Sequence, residues 1–170
     1  MIKAPSLLSS YSLVWSGDPS LALPVFVADP EKDEAANLEA AKAIHEERER
    51  MLRVARQTGQ WHPLIKPGER PTIFTFRNLN WEDREWQSGE RSRKELTTLE
   101  IASLAFRLAL VKVENLGTIQ VERDSSGGRD MATVEVLNVL HSELGDDSVG
   151  LVFEFAGHIT DRARRQLDPL

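Results

Sequence analysis

Four histidines are the first places to look for chemistry, and none has the company that a reaction or a metal ion needs. His45 opens HEERE, which looks like the start of a zinc-protease helix. That motif needs a second histidine four residues on, and position 49 is Glu49. His62 stands beside Pro63 in a loop, His141 falls on the polar side of an expected helix, and His158 follows Gly157. No two of them are at metal-ligand spacing. The run SSGGRD at residues 125–130 has paired glycines but no lysine after them, as a phosphate-binding loop requires, so it reads as a hairpin turn or a mobile loop. Asp146 and Asp147 are neighbours and would point to different helix faces, so they read as acids at a helix start. Ser9, Ser10, Ser125 and Ser126 lack the glycine-flanked elbow of a serine hydrolase. The expectation is a protein that is not an enzyme, with no catalytic, cofactor-binding or metal-ligating residues. A site assembled from distant positions is the remaining route to catalysis, with a small cytoplasmic enzyme as the third reading.

Composition narrows the partners. The 170 residues carry a net charge of -6, whereas phosphate contacts call for clustered lysine and arginine, so no direct nucleic-acid binding is expected. Two short basic groups, Arg91 with Arg93 and Lys94, and Arg162 with Arg164 and Arg165, lack interleaved aromatics and read as solvated helix ends. The absence of cysteine excludes disulfides, a thiol nucleophile and cysteine-held metal. Glu100, Arg107 and Lys112 interrupt the longest apolar stretch before it reaches the ~18–20 residues of a membrane span, so no membrane partner is expected. The first residues lack a clean apolar core, which predicts a soluble, unsecreted protein.

The elements that would position any site are organised around residues 97–116. Leu99, Ala102, Phe106, Leu110 and Val113 form one apolar stripe at helical spacing, and Ile101, Leu104, Ala105, Leu108 and Val111 form a second. Thr97 and Glu100 make a capping box, and Asn115 with Gly117 offers a left-handed stop, so one helix is predicted over the whole stretch. Upstream, residues 11–15 and 23–28 read as short strands of a hairpin or strand pair, with a proline-rich arm that orders against a partner chain as the alternative. Asp29 and Pro30 should open a long charged helix running to about Gln57, with acids near its start and arginines near its end. Its apolar face, Ala40, Ala41, Ile44, Met51, Leu52 and Ala55, is thin. It would lie solvated on the surface or meet another subunit.

Residues 59–71 carry Pro63, Pro67, Gly68 and Pro71 and read as a loop pinned by Trp61. Residues 72–77 read as a strand with Phe74 and Phe76 on one face. Asn80 should cap a helical turn over residues 81–87, followed by a mobile connection to Leu96. Residues 118–123 alternate as a half-buried strand. Thr133 should cap a helix over 134–144 stopped by Gly145, and residues 146–167 form a last helix or a broken pair, with Val149, Val152, Phe153, Ala156, Ile159 and Ala163 at helical spacing. The fold class is therefore helix-dominated α+β: a compact C-terminal helical body with a few short strands (72–170), a proline-rich loop (59–71), and an N-terminal arm with a long charged helix (1–58), in a single domain overall.

ERPTIFTFRNLN at residues 69–80, ASLAFRLALVKVENLG at 102–117 and VLNVLHSELG at 136–145 together resemble small proteins from the head and tail morphogenesis genes of tailed bacteriophages. The likeness covers roughly the last hundred residues, and residues 1–68 lie outside it. It implies a virion structural protein at the head–tail junction or in the capsid, assembled in the host cytoplasm, whose partners are other phage structural proteins and copies of itself. It equally accommodates a tail-assembly chaperone absent from the finished particle. It implies no active-site residues. Four tryptophans, Trp15, Trp61, Trp81 and Trp86, are the candidate subunit contacts, since tryptophan is enriched where protein surfaces bind.

Overall fold

The computed structural model describes residues 10–167, with the side chain of Leu167 excepted. The architecture is helix-dominated α+β, as expected. The chain divides into two compact units: Ser16–Pro71, and Met1–Trp15 together with Thr72–Leu170.

The second of these units is built on a three-stranded antiparallel sheet in the order β1 (Ser10–Val14), β2 (Ile73–Arg77), β3 (Leu110–Glu114). Alternation along β2 sends Phe74 and Phe76 to one face, where both are fully buried, while Thr75 on the other face meets the Ser12 hydroxyl at 3.0 Å. Phe106 of α3 (Thr98–Ala109) and Phe155 of α5 (Asp147–Leu167) close over that face. The Phe74 and Phe155 ring centroids lie 4.8 Å apart, and those of Phe76 and Phe155 5.2 Å apart and near edge-on. Four phenylalanines buried together contribute roughly 1.5–3 kcal/mol each, and the favoured tilted ring geometry adds to that.

Several expectations need correction. The helix expected over residues 97–116 ends at Ala109, and the chain turns directly into β3. Val111 and Val113 are β-branched, and pairing with β2, Phe74 opposite Val113 and Phe76 opposite Leu110, outcompetes continuation of the helix. Asn115 (φ 61°) and Gly117 (φ 54°) are left-handed, but they close the strand rather than a helix. The turn expected over 81–87 is a full helix, α2 (Trp81–Arg93), and it absorbs most of the stretch expected to be mobile. A capping box between Asn80 and Asp83 starts it, and Glu90, paired with Arg93 and Lys94, holds its end. Of the strand expected over 118–123 only Arg123 is laddered, in the two-residue hairpin of β4 (Arg123–Asp124) and β5 (Met131–Ala132) that brackets the SSGGRD turn.

Helix α4 (Glu135–Leu144) begins without a side-chain cap, because Val134 and not Thr133 stands at its N-cap. The last helix is continuous. Its buried face is Leu151, Val152, Phe155, Ala156, Ile159 and Ala163, which leaves Val149 and Phe153 partly in solvent. Gly150 and Gly157 sit inside it with open space around them.

In Ser16–Pro71 the strand expected at 23–28 does not form, and only the bridge Leu21–Ile65 pairs backbone across the unit. Helix α1 (Glu34–Thr58) starts later than expected, because Asp33 takes the cap by accepting from the Ala36 N–H at 2.7 Å. Asp29 instead anchors the preceding turn, its backbone N–H donating to the Asn37 side chain. Gly59 ends the helix at φ 69°, and loop 59–71 contains one short 3-10 turn, His62–Leu64.

Candidate functional site

The densest polar constellation lies where α2 begins. The Asp83 side chain is 0% exposed, yet it carries a full set of partners. Arg77, the last residue of β2, grips it with both terminal nitrogens, at 2.7 and 3.0 Å. The Asn80 backbone N–H donates to it at 2.9 Å as the second half of the capping box. Arg129, carried by the hairpin turn, donates from Nε at 2.9 Å and reaches Glu82 with NH2 at 3.2 Å. Those four donors fill the roughly four lone-pair positions of a carboxylate. Burial pushes the Asp83 carboxyl up, but the hydrogen bonds from Arg77, Asn80 and Arg129 outweigh it and hold the group below the ordinary carboxylate range.

Neighbouring arginines reinforce the same corner. Arg123 donates to the Leu108 carbonyl at 3.1 Å and also to the Leu110 carbonyl, where α3 gives way to β3. Arg107 donates to the Ala132 carbonyl at 2.8 Å. Burial lowers the pKa of both guanidinium groups, but arginine stays protonated throughout the physiological range. The recess beside Asp83, about 340 Å³, is lined by these already committed groups. The Asp83 carboxylate has its lone pairs occupied, the exposed Asp130 pairs with Arg123 at 3.2 Å, and both lining arginines already face carboxylates. Chemically it is a clasp that fastens β2, α2 and the hairpin together. Among the described residues no cluster of three or more histidine, aspartate or glutamate side chains is placed to hold a metal ion. His45, His62 and His141 are exposed, and Ser125 and Ser126 shape the hairpin turn. Ser9 lies outside the described residues.

The four tryptophans have separate fates. Trp61 is buried, with its indole N–H unpaired. Trp15 and Trp86 are half-buried. The Trp86 indole nitrogen lies 3.4 Å from where a Cβ on Gly128 (φ 95°) would stand, so this ring backs the hairpin turn. Trp81 is 64% exposed at the start of α2. Trp81 and Trp86 share a helix but lie about 140° apart around it, on different faces. Exposed apolar side chains missing from the expected contacts include Val25 (73%), Val27 (80%), Leu38 (58%) and Val54 of Ser16–Pro71, and Val134, Val111, Val149 and Phe153 of the other unit. Val25 and Val27 stand two residues apart in a segment that forms no ladder. That spacing was visible in the sequence, but the strand reading assigned it to a sheet.

The comparisons come up empty. No family model, curated protein or solved structure matches this chain. No described helix is long and apolar enough to cross a membrane.

Proposed function

We propose that this chain is a non-enzymatic structural subunit that works by presenting surface to other subunits. The observation that carries this reading is helix α1. It runs 25 residues, about 37 Å, and its only buried residues are Leu52 and Ala55. Residues 34–51 contain no buried side chain at all. Most helical stability in proteins comes from packing an apolar face, so a helix this long with so little cover is shaped for a neighbour to complete. The exposed Val25, Val27 and Leu38 belong to the same unit. The clasp at Asp83 adds support of a different kind, because the richest cluster of charge is consumed in holding the fold.

The setting we propose is a tailed-phage virion, at the head–tail junction or in the capsid, with other phage structural proteins and copies of this chain as partners. The resemblance at residues 69–80, 102–117 and 136–145 supports it. Mass spectrometry of purified particles of the phage encoding the chain tests it. A stoichiometric copy number is the expected result. Absence from finished particles, with presence in the infected cell during assembly, would replace the virion role with the tail-assembly chaperone role.

A further inference from the structure

Helices α2 and α5 both flank α3, and between them runs an open valley of about 610 Å³. Each helix contributes one stripe at helical spacing. From α2 come Arg84, Gln87, Ser88 and Arg91. From α3 come Thr98, Ile101, Ala102 and Ala105. From α5 come Phe153, Ala156, Gly157, Thr160, Asp161 and Arg164. Ala102, Ala105 and Ala156 are buried beneath the valley, so the apolar surface it offers is that of Ile101, Gly157 and the 40% exposed Phe153. Gly157 lets a second backbone approach closely, and the larger two offer apolar surface to cover. The rim carries three arginines against one aspartate, on a chain whose net charge is -6. Arg91 and Arg164 are both exposed.

We propose that this valley binds an acidic amphipathic helix of a partner protein. Three features select that occupant. The α5 stripe from Phe153 to Arg164 extends about 16 Å, the length of three helical turns. The apolar side chains of Ile101 and Phe153 beside the exposed Gly157 take the leucine face of a helix, the common groove-binding mode for such segments. The arginine rim complements glutamates flanking that face and disfavours lysines. This assignment deepens the proposed function, resting on the chain's role in presenting surface, and it names the chemistry of one partner.

The test uses the full chain and a fluorescent helical peptide, roughly 18 residues long, with leucines at i, i+3, i+4 and i+7 and glutamates beside them. Fluorescence anisotropy should show it binding at least about tenfold more tightly than the same peptide with lysines for glutamates, or than oligoglutamate. The double variant Arg91→Glu with Arg164→Glu should reverse that preference. Gly157→Leu should weaken binding at least about tenfold by filling the floor, and it should fold, since nothing lies within 4 Å of a Cβ there. Equal binding of both peptides, or indifference to the arginine changes, would overturn the proposal. So would tighter binding after deletion of residues 1–9, which would make the chain's own segment the occupant. Loss of self-association in the arginine variant, without loss of peptide binding, would assign the valley to a second copy. Any of these failures leaves the particle measurement untouched.

Discussion

Helices α1 and α2 are both strongly charged, yet each stands in a different relation to the unit it belongs to. In α2 the charges reach distant parts of the chain. Asp83 is held by Arg77 of β2 and by Arg129, forty-six residues away on the hairpin. In α1 the bonds shown are an exposed pair within one turn and one to the segment before the helix. Glu47 meets Arg50 within one turn, with both side chains well exposed, and Arg48 donates to the Pro24 carbonyl in the segment before the helix. Charge content therefore does not distinguish a structural helix from a surface helix. The distinction lies in whether water is excluded from the pair and whether one side chain gathers several elements, as Asp83 does. A buried carboxylate with all its lone pairs occupied fixes elements to one another, whereas an exposed pair at i,i+3 adds little.

The largest expected effect breaks the α2 side of that contrast. Asp83→Ala removes the acceptor that neutralises Arg77 and Arg129 and should cost about 3–5 kcal/mol, as stranding buried charge does. Asp83→Asn keeps the shape and one acceptor oxygen and should cost less. Glu47→Ala on α1 should leave the urea midpoint unchanged. Denaturation of the three variants beside the parent decides the matter. If Asp83→Ala behaved like Glu47→Ala, the clasp would be ornamental and the contrast between the helices would collapse.

Acid sharpens the same contrast with a smaller effect. The Asp83 carboxyl has its pKa lowered in the folded state, so it contributes stability that is fully present above the unfolded value, near 4, and is lost as pH falls through the folded value. The parent should therefore keep its full advantage over Asp83→Asn from pH 7 down to about 5 and lose it progressively below about 4. Urea midpoints at a series of pH values measure that gap. A gap that stayed constant down to pH 2 would mean that Asp83 titrates alike in the folded and unfolded chains.

What could be read from the sequence follows the same division between near and far. Phe74 and Phe76 announced a buried strand face because alternation is a local signal, and Thr97 with Glu100 announced a helix start because a capping box spans four residues. The end of that helix was illegible. Leu110, Val111 and Val113 continue an apolar period that suits helix or strand equally, and the strand that decides between them, β2, lies more than thirty residues upstream. Gly89 and the charged run around it looked mobile, because the clasp that fixes the start of α2 is completed by Arg129. The valley was hidden for a further reason. Its three stripes are mixed in polarity, so Arg91 and Arg164 read as solvated helix ends, and only the packing of α2 and α5 on α3 brings them to one rim.

The smallest effect on folding tests the α1 side. Leu38 and Val54 are exposed, so replacing both with serine removes little buried surface and should change folding stability by no more than about 0.5 kcal/mol. If α1 is completed by a neighbouring subunit, the same double variant should weaken assembly, because each serine puts a hydroxyl where the contact buries apolar surface. Light scattering of the purified chain across a concentration series, together with its incorporation into particles, reads that loss separately from stability. Unchanged stability with reduced incorporation would make α1 a contact helix. Unchanged stability with full incorporation would leave α1 a solvated rod and move the contacts to Val25, Val27 and Trp81. A large loss of stability would instead mean that Leu38 and Val54 pack within the folded chain, and the difference between the two charged helices would then be one of degree.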